Sequence, residues 1–151
     1  MDLSKLRVFE ELNPWWQASE VPRNLSGVRR DEYLNKLKAL VGNEEISLVS
    51  GIRRSGKTTL LYQTIDYLLG EGIDARNILL VNCDEIVVKN SFKDVHEIIS
   101  TFNASADGRK YVFLDEVQYF EDWEQELKNA FDRFRKNVKI IASGSSAMLA
   151  K

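Results

Sequence analysis

A chain of 151 residues, 44% of them hydrophobic, has the material for one domain core and no room for a second full domain. Its 21 basic and 23 acidic residues leave a formal net charge of −2, so the bulk electrostatics give no sign of a nucleic-acid or membrane surface. Cys83 is the sole cysteine, which excludes an internal disulfide and a multi-cysteine zinc site, and no signal-like stretch or apolar run of transmembrane length is present; the expected setting is a reducing cytoplasm.

Leu3, Leu6, Phe9 and Leu12 recur at helical spacing, and Asn13-Pro14 ends that helix because the residue before proline avoids the α region. Trp15 and Trp16 follow. They are expected to pack on the domain surface, either as an anchor for an N-terminal arm or with one ring walling an adenine pocket. From Gln17 to Arg30 the polar, Pro- and Gly-punctuated composition reads as an extended linker, with Arg29 and Arg30 solvated by default. Residues 1–30 are thus expected to form a helix and linker arm, and 31–151 the core. Asp31 is placed to cap a helix whose apolar face is Tyr33, Leu34, Leu37, Leu40 and Val41, stopped by Gly42-Asn43.

Ile46-Ser47-Leu48-Val49-Ser50 is short and apolar like a buried parallel strand, and Thr59 to Leu69 is spaced like a helix facing a core. Between them, Gly51-Ile52-Arg53-Arg54-Ser55-Gly56-Lys57-Thr58 matches the phosphate-binding pattern G-x-x-x-x-G-K-[S/T] at every specified position. Glycines at 51 and 56 let backbone N–H groups wrap a polyphosphate closely. Lys57 can reach the β- and γ-phosphates as a point charge, the Thr58 hydroxyl can ligate Mg²⁺, and the helix aims its positive end at the anion. The candidate nucleotide contacts are Gly51, Arg53, Arg54, Ser55, Gly56, Lys57, Thr58 and Thr59. Arg53 and Arg54 stay open between nucleotide, a neighbouring subunit and solvent.

Gly70-Glu71-Gly72 closes the helix, and Ile78 to Cys83 reads as a second buried strand with Cys83 as inert packing. Ser91-Phe92-Lys93-Asp94 resembles a capping box and opens a helix with Phe92, Val95, Ile98, Ile99 and Phe102 on one face; His96 falls off that stripe, towards solvent. Tyr111-Val112-Phe113-Leu114 then runs straight into Asp115 and Glu116. Ligands of an open parallel sheet bind at the carboxyl ends of strands, so both carboxylates are expected beside the phosphate loop. Asp115 is placed to hold Mg²⁺ through waters, and Glu116 to polarise a water for attack on the γ-phosphate. Asp122 caps a helix with Trp123, Leu127, Ala130, Phe131 and Phe134 as its buried face. Val138 to Ala142 is the fourth strand, and Ser143-Gly144-Ser145-Ser146 follows on the ligand edge, where a hydroxyl could meet the γ-phosphate or the attacking water, or simply form a polar turn.

The expected fold class is α/β, a three-layer P-loop NTPase sheet, mainly parallel and truncated after the fourth strand. In Asn13-Pro14-Trp15-Trp16, the phosphate loop with Thr59-Leu60-Leu61, Leu114-Asp115-Glu116-Val117-Gln118, Trp123-Glu124 and Ser143-Gly144-Ser145-Ser146, the chain resembles AAA+-type ATPases of the additional-strand, catalytic-glutamate class. Within that class it is similar to a large, poorly characterised prokaryotic and archaeal-type group. The resemblance implies ATP and Mg²⁺ as ligands, Lys57 on phosphate, Thr58 and Asp115 on the metal, Glu116 as catalytic base, and Ser143 as sensor 1 with Ser145 as second choice. It also implies coupling of hydrolysis to conformational change, with a nucleotide-gated switch of negligible turnover as the alternative. Such ATPases continue into a fifth strand, an arginine finger and a lid. Without these, weak hydrolysis is expected, and the phosphate-loop strand would lie at an uncovered sheet edge where self-association or a protein partner is plausible.

Overall fold

The computed structural model describes residues 2–26, 34–50 and 56–145. Four strands, β1 (Ser47–Ser50), β2 (Ile78–Asn82), β3 (Lys110–Asp115) and β4 (Val138–Gly144), form one parallel sheet in the order β1-β4-β3-β2. A parallel sheet needs helical crossovers, and these cover it, which is why β3 and β4 in the middle are almost wholly buried. β4 runs two residues further than its apolar run, so Ser143 lies within the strand opposite Val49. Among the described residues β1 pairs on one side only, and it is not the buried strand its composition suggests. Its residues alternate between half-buried and exposed, with Leu48 55% exposed.

The N-terminal residues are built into this core. In α1 (Leu3–Leu12) Asp2 accepts the Ser4 N–H at 2.9 Å as an N-cap. Of the expected stripe, Phe9 is fully buried, stacked on Phe92 at 5.2 Å, whereas Leu6 and Leu12 are half-buried and Leu3 is exposed. Asn13 ends the helix. Its Nδ2 donates to Phe9 O at 2.7 Å, while its Oδ1 accepts the Leu80 N–H at 2.7 Å. Trp15 and Trp16 open the short α2 (Trp15–Ala18), and both indole N–H groups donate to Ile78 O, at 2.9 and 2.7 Å. The outer edge of β2 thus finds its hydrogen bonds in side chains of the arm, which answers the demand of an unpaired strand edge.

Both tryptophans are therefore core rather than surface residues, tied to β2 as an anchor for the arm would be, and neither is among the residues that line the cleft described below. Nor is the following stretch an extended linker as far as Ser26. It continues through α2 and α3 (Arg23–Ser26), buries Val21, and is tied to the core by Gln63 Nε2 donating to Ser26 O at 2.9 Å. Arg29, Arg30, Asp31 and Tyr33 lie outside the described residues. α4 (Leu34–Val41) buries Leu37 and leaves Leu40 and Val41 half-buried.

α5 (Lys57–Gly70) starts directly after Gly56, whose φ of 90° suits a residue without a β-carbon. It ends where left-handed Gly72 lets the Ile73 N–H reach back to Leu68 O at 3.2 Å. α6 (Ile86–Ser91) was not legible in the sequence: it is short, and its Ile86 and Val87 are exposed rather than in a stripe. It displaces the expected capping box by three residues, so that Asp94 caps α7 (Val95–Asn103) by accepting the Glu97 N–H at 2.9 Å and Glu97 accepts the Lys93 N–H at 2.9 Å. His96 is half-buried against the Phe134 ring at 5.7 Å rather than facing solvent. Asp122 precedes α8 (Trp123–Phe134) in a left-handed conformation, φ 55°, and its side chain makes no capping bond. At the opposite end of the sheet from the cleft, the buried Lys139 ammonium reaches Asn43 Oδ1 at 3.0 Å and Glu45 O, joining the α4–β1 turn to β4.

Candidate nucleotide site

The carboxyl ends of β2 and β3 and the first turn of α5 enclose a cleft of about 630 Å³ lined by Gly56, Lys57, Thr58, Thr59, Asn82, Asp115 and Glu116. Register explains the grouping. Asn82 and Asp115 are partners at the last rung of the β2–β3 ladder, and α5 begins close by because its strand, β1, belongs to the same parallel sheet. Gly51, Arg53, Arg54 and Ser55 lie outside the described residues.

Asp115, at the end of β3, is buried and accepts three hydrogen bonds. Thr58 Oγ1 donates to its Oδ2 at 2.9 Å, while Ser143 Oγ and the Glu116 N–H, the latter at 3.1 Å, donate to its Oδ1. Thr58 and Asp115 are hard oxygen donors within hydrogen-bond distance at the wall of an open cleft, a donor pair that fits Mg²⁺, which keeps most of its waters and takes one or two protein oxygens plus phosphate. Among the described residues no group of three or more His, Cys, Asp or Glu could hold a metal by itself.

Glu116 has left the strand and sits at φ 53°, ψ 48°, a left-handed conformation that costs a residue with a β-carbon about 1–2 kcal/mol. Its Oε1 forms a tight ion pair with Lys57 Nζ, and both residues are only 6% exposed. Its Oε2 accepts Gln118 Nε2 at 2.6 Å. The ammonium that a phosphate would attract is thus already paired with an anion, and the start of α5 is cross-linked to the end of β3 twice, by Lys57–Glu116 and Thr58–Asp115.

Ser143 is completely buried behind Asp115 and is not one of the cleft-lining residues; its contact is with the carboxylate and not with the open space. Ser145 is half-buried just past β4. Cys83 packs inertly: it is fully buried, its N–H donates to Asp115 O at 2.8 Å, and burial pushes its thiol pKa far up. Two site residues went unassigned from sequence. Asn82 was findable, since it ends an apolar run on the ligand edge as Asp115 does, whereas Gln118 stood in a recognised motif without a role.

A protein-family model described as an AAA domain matches residues 43–151, most of the chain, and the chain belongs to that family. An uncharacterized protein of Haemophilus influenzae is 36% identical over 125 residues, covering 81% of this chain and 30% of the relative. The uncharacterized protein MJ1637 of Methanocaldococcus jannaschii is 35% identical over 124 residues, covering 78% and 24% respectively. The chain therefore spans about a quarter to a third of the length of these relatives. Among solved structures, one titled as the structure of C. elegans PCH-2 aligns with a TM-score of 0.49 at 18% identity, over 95% of this chain and 40% of that one. AAA-family membership implies nucleotide binding, and no helix among the described residues is long and apolar enough to cross a membrane.

Proposed function

We propose that this chain is the nucleotide-hydrolysing part of an AAA+-type ATPase of the additional-strand, catalytic-glutamate class, taking ATP with Mg²⁺. Residues 31–151 would form the ATPase core and 1–30 an arm fixed to it. The observation that carries the reading is the double link between the first turn of α5 and the end of β3, where a phosphate-type lysine faces Glu116 and a phosphate-type threonine faces Asp115 in one cleft. Strand order supports the class, since β4 is inserted between β1 and β3.

Each residue then has a role set by its position. Gly56 and the N–H groups at the start of α5 receive phosphate oxygens, and Lys57 exchanges Glu116 for the β- and γ-phosphates. Thr58 and Asp115 would hold Mg²⁺, which when bound neutralises charge on the phosphate oxygens. Glu116, released from Lys57, takes a proton from water. Ser143 orients Asp115 from behind; a sensor function would act through that contact. Gly51, Arg53, Arg54, Ser55 and Thr59 complete the proposed nucleotide contacts. Conformational coupling, a protein partner or self-association, and a reducing cytoplasmic setting suited to the buried free thiol of Cys83 belong to the same proposal.

A switch with negligible turnover is favoured by one feature, the ion pair that occupies both Lys57 and Glu116. Calorimetry of ATP with Mg²⁺, beside steady-state hydrolysis by wild type and Glu116→Gln, decides. Saturable binding with turnover lost in the variant is expected. Binding without turnover in any longer protein carrying this domain selects the switch, and no binding refutes both.

A further inference from the structure

Lys57 and Gln118 both hold the Glu116 carboxylate, and of these Lys57 alone has a role in the reading above. The other partner, Gln118, lies on the single 3₁₀ turn Val117–Tyr119 that Glu116 itself opens, with the Tyr119 N–H donating to Glu116 O at 3.2 Å. That tight turn folds the amide back onto the carboxylate two residues earlier, at 2.6 Å. Gln118 is outside the cleft lining, so arriving phosphate competes for Lys57 and leaves Gln118 alone.

The amide's orientation is fixed by this contact. Flipping it would set its oxygen against a carboxylate oxygen, two acceptors with no proton between them. In the observed orientation Gln118 Oε1 is buried and meets no donor among the described residues, a cost tolerated for the sake of the Nε2 bond. The left-handed backbone of Glu116 is a second local cost directed to the same end, aiming this side chain into the cleft.

We propose that Gln118 is a positioning residue for the general base: it keeps hold of Glu116 Oε2 while phosphate draws Lys57 away, and so fixes the direction in which the carboxylate meets the attacking water. This rests on the reading of Glu116 as base. In the step it serves, the water oxygen bonds to the γ-phosphorus, the bond from that phosphorus to the β,γ-bridging oxygen breaks with its electron pair leaving on ADP, and the water proton goes to Oε1.

The test uses Gln118→Ala and Gln118→Met, which keeps the length of the side chain and removes the donor without adding a charge. We expect kcat to fall about tenfold or more in both, with KM and calorimetric ATP·Mg²⁺ affinity within about twofold of wild type. Full kcat in Gln118→Met would mean that the amide serves packing only and overturns the proposal. An independent readout needs no turnover. By NMR, the Gln118 side-chain amide protons should exchange slowly with water in wild type, with and without ATP and Mg²⁺, and quickly in Glu116→Ala; equal exchange in that variant refutes the hold. Should Glu116→Gln retain wild-type turnover, the base reading falls and this one with it. Loss of turnover in Glu116→Gln with normal Gln118 variants removes this inference alone.

Discussion

Replacing Glu116 by Gln should make the nucleotide-free protein less stable and its grip on ATP tighter. The buried Lys57–Glu116 contact is a charge-assisted hydrogen bond, and such bonds contribute about 1.5–3 kcal/mol against about 0.5–1.5 for neutral ones. Glutamine keeps an acceptor for Lys57 but loses the charge, so about 1–1.5 kcal/mol of folded-state stabilisation disappears, or about 2–6 °C in Tm for a chain of this size. The interaction lost is the one ATP must displace to recruit Lys57. The variant should therefore bind ATP about five- to tenfold tighter, with the loss of a carboxylate near the triphosphate acting in the same direction. A glutamate that only polarised water would leave binding near normal when replaced by glutamine; the ion pair with Lys57 changes that expectation. Differential scanning calorimetry of the free protein and titration calorimetry with ATP and Mg²⁺ measure the two effects. Unchanged Tm together with unchanged or weaker affinity would refute the idea that Glu116 competes with phosphate for Lys57.

Lys57→Ala removes the cation itself, and ATP affinity should fall about tenfold to a hundredfold in a folded protein, measured by the same titration. Asp115→Asn should reduce the Mg²⁺ dependence of ATP affinity, seen by comparing titrations with Mg²⁺ and with a chelator; an unchanged ratio would remove Asp115 from the metal. Asn13→Ala leaves Phe9 O and the Leu80 N–H without their partner, costing about 2–4 kcal/mol by denaturant titration, with ATP affinity little changed because the cleft is not touched. Lys139 sets a pH dependence. Burial first, and repulsion from Arg109 second, lower its pKa to about 8 from 10.5. Between these values the unfolded chain holds more protons than the folded one, so this lysine makes stability rise with pH from about 8 towards 10.5, and Lys139→Met should flatten that part of the profile.

The central strands and the two carboxylates were legible because burial on both faces writes itself as an uninterrupted apolar run, and its abrupt end in Asp115-Glu116 marks the ligand edge. The arm was misread for a related reason. Gln17 to Ser26 looks polar and broken, yet it is held by a contact such as that of Gln63 with Ser26, 37 positions away, that no local pattern encodes. Trp15 and Trp16 likewise seemed costly surface residues, because nothing in their neighbourhood announces that Ile78 O, 63 and 62 residues later, lies on a strand edge in want of donors. Leu48 misled in the opposite direction: its apolar side chain suggested a buried strand, whereas among the described residues β1 pairs on one side only, in line with the uncovered edge expected for the phosphate-loop strand.

Adjacent carboxylates at one strand end need something to make them differ, and their partners supply it. Asp115 is held by a backbone N–H, a serine inside β4 and a threonine in the first turn of α5, all short groups on regular elements that cannot withdraw without moving the fold. The partners of Glu116 include a lysine and a glutamine, whose flexible stems can exchange one partner for another at little cost to the backbone. A metal ligand benefits from the first arrangement, since Mg²⁺ demands near-ideal geometry. The base proposed at Glu116 would benefit from the second, staying engaged until phosphate arrives and accepting a proton thereafter. The left-handed turn at Glu116 is what separates the two environments within one residue, sending the side chain off the strand axis that fixes Asp115.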